Sequence, residues 1–84
     1  MFKSRFDREV VVTRHARQRM ADRGIADALL LRVIDEGSVR YRDANHLWVW
    51  LEVPSRDDNL LCAVLVLEGK LIVKTVLHRW ELLP

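Results

Sequence analysis

T-R-H-A-R-Q-R-M-A-D-R-G-I, Thr13 to Ile25, is the stretch on which the fold turns. Val10, Val11 and Val12 lead into it as a strand, because β-branched residues fit a pleated surface. Thr13 is a suitable N-cap for the helix that follows. Gly24 closes that helix by supplying a left-handed turn. At ~100° per residue, His15, Arg19 and Arg23 fall on one helical stripe. Ala16 and Met20 lie beside it and can face a core. One short helix thus holds itself to a sheet while presenting an imidazole and two guanidiniums.

Working outward, the next helical pattern is A-L-L-L-R-V-I-D-E, introduced by Asp27 as a predicted N-cap and stopped by Gly37. Leu30, Val33 and Ile34 share one stripe, widened by Leu29 and Leu31, which predicts the more deeply buried helix. After Gly37 the period changes to two. Ser38 to Asp43 reads as a strand, Ala44-Asn45 as a tight connection, and His46 to Val53 as a strand. That strand alternates Leu47, Val49, Leu51 and Val53 against His46, Trp48, Trp50 and Glu52. Pro54 to Asn59 is a polar loop. Leu60 to Leu67 is apolar on both faces, as in a central strand covered twice. Glu68-Gly69-Lys70 turns the chain into a last strand from Leu71 to Trp80. In the other direction, Met1 to Arg8 is a polar lead-in with Phe2 and Phe6 packing loosely, and Leu82-Leu83-Pro84 is a short apolar tail over the core edge. The order β-α-α-β-β-β-β predicts an α+β domain with two N-terminal helices on one face of an antiparallel sheet. The direction in which the first strand joins stays open.

Eighty-four residues make one domain with a modest core. Half the residues are hydrophobic and 31% are charged, so the chain folds. The net charge of +2 says little, but residues 1–42 carry ten Lys/Arg against six Asp/Glu, while residues 43–84 carry four against six. Between Arg14 and Arg23 there are four arginines against Asp22. Positive charge gathered on one element suits an anion-binding face. Cys62 is the only cysteine, in an apolar run, which implies a buried inert thiol and fits a reducing cytoplasm. The first residues lack the apolar segment of a signal peptide, and no run approaches the ~18–20 residues that span a bilayer. The expected location is cytoplasmic, with no membrane contact.

The chemistry follows from residue types. Histidine exchanges protons near neutral pH, and arginine grips phosphate with a planar charged fork. Together they suit phosphodiester cleavage without a metal or other cofactor. The competing account is a surface helix whose arginines are solvated or paired with Asp22 and Asp27. Along the last strand, Leu71, Val73, Thr75, Leu77 and Arg79 alternate with Ile72, Lys74, Val76, His78 and Trp80. If its end lies near the first helix, either Thr75 and Arg79 or Lys74 and His78 complete the site. Both sets reach one cleft only across a bulge or twist. Trp48 and Trp50, with Tyr41 near, form an aromatic patch for bases, for a protein partner or second copy, or for internal packing. His15, His46, His78 and Cys62 show no zinc-ligand spacing. No Gly-rich phosphate loop and no Ser-centred elbow occur.

The motif H-A-R-Q-R-M-A-D-R-G-I, the helix ending in E-G, and the closing V-K-T-V-L together resemble a bacterial domain family of unassigned function. Its pattern is close to H-A-x-x-R-M-x-x-R-G-I, over roughly residues 10–78 here. That family is similar to RelE/ParE-type toxins, related to colicin-like ribonucleases. The resemblance implies a toxin-like, metal-independent endoribonuclease that binds RNA and is held by an antitoxin protein. Carried over by position, the catalytic set is His15, Arg19 and Thr75. Arg14, Arg17, Arg23, His78 and Arg79 are expected to bind the substrate backbone, and Trp48 and Trp50 a partner. The alternative is a non-catalytic protein-binding module of the same fold, including a ParE-type gyrase-directed toxin.

Overall fold

Residues 4–82 are described by a computed structural model. The packing expected of Phe2 and of the Leu83-Pro84 tail lies outside the described residues. The elements are β1 (Val10–Val12), α1 (Arg14–Asp22), α2 (Asp27–Glu36), β2 (Ser38–Tyr41), β3 (His46–Leu51), β4 (Leu61–Leu67) and β5 (Leu71–Leu77). β1 spans Val10–Val12 as expected, and β2, β3, β4 and β5 are each shorter than their expected spans.

Thr13 caps α1 as expected, its side chain accepting a bond from Ala16 N at 3.1 Å. The other end closes on Gly24 at φ +62, with Ile25 N bonding Met20 O at 2.9 Å. This six-residue closure satisfies a helix carbonyl and folds buried Ile25 back beneath the helix. Asp27 is not the cap of α2. Ala26 occupies that position without a side-chain bond, and Asp27 is the first helical residue. Its carboxylate faces the helix dipole and is drawn to Arg17 instead. Gly37 ends α2 for a steric reason. A Cβ there would lie 2.5 Å from the carbonyl oxygens of Trp50 and Val33 and 2.8 Å from Val49 Cγ1. The chain leaving α2 therefore passes directly against β3.

The strands form one sheet in the order β1-β5-β4-β3-β2. Hairpin connections make β2 to β5 antiparallel, but β1 lies parallel to β5, Val10 beside Leu71 and Val12 beside Val73. The sheet is therefore mixed, which corrects the wholly antiparallel expectation. No hairpin joins β1 to a neighbour, so nothing local dictates its direction. Both helices cover one face. Ala16, Met20, Leu30, Val33 and Ile34 meet Val10, Leu47, Val49, Ala63, Leu65 and Val73 in a continuous core. Near-complete burial of β4 agrees with its two apolar faces.

A bulge interrupts the β4–β5 ladder. Leu65 pairs with Val73 and Val64 with Thr75, leaving Lys74 unmatched. One extra residue reverses the alternation beyond it. Before the bulge Leu71 and Val73 point to the helices; after it Val76 does. Thr75 thus joins the face away from the helices, in a row with Val64, Trp48 and Arg40. The next row on that face is Leu77, Cys62, Trp50 and Ser38.

Candidate functional site

Burial of Ala16 and Met20 turns the rest of α1 outward. Arg14, His15, Arg17 and Arg19 are all exposed. The side chains of Arg14 and His15 make no hydrogen bond or ion pair with any described residue. Arg17 is bound to Asp27. Arg19 lies 3.7 Å from Asp22, one turn on, an exposed contact of little energetic weight. Arg23, the third member of the stripe, is half-buried and donates to the carbonyl of Val76. It caps β5 just past the point where β1 stops covering the edge. The stripe is thus divided: its start is open to an anion, and its end is tied to the sheet.

Thr75 is half-buried on the opposite sheet face, and no hydrogen bond joins it to His15 or Arg19. The bulge gives Lys74 an exposed position beside Thr13, whose hydroxyl donates to Val73 O at 2.9 Å and lies 3.2 Å from Lys74 O. Trp48 and Trp50 lie on the face away from the helices. There Trp50 packs on Trp80, with ring centroids 5.1 Å apart and planes at 37°. A cavity of about 210 Å³ opens beside them, lined by Arg40, Trp48, Trp80, Glu81 and Leu82. The chain's own C-terminal segment therefore packs on the aromatic patch.

The feature that sequence patterning did not reveal is centred on Asp58, which is 8% exposed. Its carboxylate accepts from Arg56 Nε at 2.8 Å and Nη2 at 2.9 Å, and lies 3.0 Å from His78 Nδ1. Arg56 also donates to Gly24 O at 3.1 Å and Arg23 O at 2.7 Å, joining this loop to the end of α1. The Arg56 hydrogen bonds, opposed by burial and helped by His78, hold the Asp58 carboxyl well below the usual carboxylate range. Asn59 fixes the loop by bonding both Val53 N and Val53 O. Arg79 follows at φ +52, its backbone N donating to Asp58 O at 2.7 Å. The only local signal was an arginine, two aspartates and an asparagine in six loop residues, and nothing linked them to a histidine twenty positions later.

Among the described residues, no group of three or more His, Cys, Asp or Glu side chains is placed to hold a metal ion. Among the same residues, no helix is long and apolar enough to cross a membrane.

What these features define is a small α+β domain with a basic outer helix and a histidine–carboxylate–arginine cluster at that helix's end. Residues 12–78 match the family described as "Domain of unknown function (DUF4258)", and the chain belongs to that family. No curated protein and no solved structure gives a significant match.

Proposed function

We propose that the domain is a toxin-like RNA-binding protein of the RelE/ParE kind, cutting RNA without a metal and restrained by an antitoxin. The supporting observation is the open start of α1. Arg14 and His15 are exposed and lack partners among the described residues, and Arg19 follows one turn on. The uncommitted guanidinium of Arg14 and the weakly paired one of Arg19 suit phosphate oxygens, while Arg17 and Arg23 keep the helix in place. Here Arg14, His15 and Arg19 meet the RNA backbone, with Lys74 extending the positive strip. Thr75, turned to the far face, is left out of this surface.

Induced expression of the wild type, His15→Ala and Arg19→Ala, with growth and total RNA followed, tests the proposal. The wild type is expected to arrest growth and fragment RNA, and each variant to relieve both. Purified protein should bind RNA with a log–log salt slope of roughly −0.7 per phosphate contact, shallower by about that amount in Arg19→Ala. Growth arrest with intact RNA would favour a protein-directed toxin. Salt-insensitive or absent RNA binding would end the nuclease reading.

A further inference from the structure

His15 and His78 lie at opposite ends of α1. His15 opens the helix, while the His78 cluster reaches the carbonyls of Arg23 and Gly24 through Arg56. Eight residues at 1.5 Å each separate these ends by ~12 Å. Their surroundings differ in a way that matters for proton transfer. His15 is exposed, and its ring makes no bond with any described residue. The His78 ring is 30% exposed and fixed at Nδ1 by a buried carboxylate. Nε2 makes no bond with any described residue. A carboxylate on Nδ1 favours the tautomer with the proton there, leaving the lone pair on Nε2. Arg56 takes both oxygens of that carboxylate and is itself anchored to backbone carbonyls, so the orienting group cannot swing away. Arg79, the next residue, is exposed, its backbone N is held by Asp58 O, and its side chain makes no bond with any described residue. Its backbone sits in a region that L residues adopt only when surroundings impose it, a feature that recurs at working sites.

We infer that His78, oriented by Asp58, is the group that takes the 2′-hydroxyl proton in RNA cleavage, with Arg79 at the phosphate. This rests on the RNA reading above and moves the proton-transfer role away from His15, which remains a backbone contact. In the step, His78 Nε2 accepts the 2′ proton and the 2′ oxygen bonds to phosphorus. The P–O5′ bond breaks and its electron pair stays with the 5′ oxygen. Water protonates that oxygen, and the hydroxide so formed takes the proton back from His78. The products are a 2′,3′-cyclic phosphate and a 5′-hydroxyl end, with no net change in protons. Asp58 acts as a positioning residue.

The test uses the full chain, a mixed-sequence single-stranded RNA and a chelator. Wild type, His78→Ala and Asp58→Asn are compared for binding and for cleavage with and without added imidazole. His78→Ala is expected to keep RNA affinity and lose cleavage by 10²–10⁴-fold, with imidazole restoring part of it. Asp58→Asn is expected to lower kcat and leave KM unchanged. His78→Ala cutting like wild type would overturn the inference and spare the RNA reading. Loss without imidazole rescue, in a variant that still binds RNA, would make the cluster a structural latch and also overturn it. Wild type that neither binds nor cuts RNA would remove both.

Discussion

Asp58 keeps a negative charge almost out of water, and that is tolerable only because Arg56 answers it with two hydrogen bonds. Because its folded pKa lies below the ordinary aspartate value, the interaction stabilises the fold above the unfolded pKa of about 4. The contribution then declines as pH falls toward the lower, folded value. Asp58→Asn should therefore be less stable than wild type at pH 7, by about 1–3 kcal/mol, as expected for lost charged hydrogen bonds. The gap should narrow progressively below about pH 4. Urea unfolding curves at several pH values measure it, and a gap that stayed constant into acid would show that the charge is not responsible.

At the scale of elements, Thr13 links β1, α1 and β5 through one hydroxyl. It accepts from Ala16 N and donates to Val73 O, so it caps a helix and fastens that helix to the sheet. Thr13→Val keeps the shape and removes both bonds. It should cost about 1–2 kcal/mol, a drop of roughly 4–8 °C in Tm for each kcal/mol in a domain this small. Thr13→Ser should recover most of the loss. Thermal melts of the two variants decide it.

The same elements show how far the sequence could be read. Both helices, the Thr13 cap, the Gly24 closure and the buried centre of β4 were legible, because each depends on residues near one another in the chain. Asp27 misled as a cap because Arg17, ten positions back, competes for its carboxylate. The face of Thr75 could not be read, since one unmatched residue at Lys74 reverses every side chain beyond it and Lys74 carries no bulge signature. The direction of β1 depends on a partner 61 residues away, and the Asp58–His78 contact on one twenty away. Of the candidate site, residue identities and the exposed half of α1 were legible; the grouping of His78 with the 54–60 loop was not.

For the whole molecule, the mixed sheet divides the protein into a helix-covered side and a side partly sealed by its own C-terminal segment. Cys62 sits on the latter side of the middle strand, fully buried, with its thiol pushed up to about 12 by burial. An aromatic disulfide reagent should leave it untouched in the native state. Labelling should appear only as denaturant opens the sheet, at a rate that follows the unfolded population. Rapid labelling in buffer alone would mean that β4 is reached without global opening.

The contact between Trp50 and Trp80 has a consequence of its own. Two indoles this close absorb as a coupled pair, and one of them belongs to the segment that follows the last strand. A circular dichroism band from that pair reports detachment of the chain's end, while the thiol reports loss of the centre. If the band fades at lower urea than the thiol becomes reactive, the protein loosens first along its closing seam, and the order of its opening can be followed without adding a single foreign label for the first event.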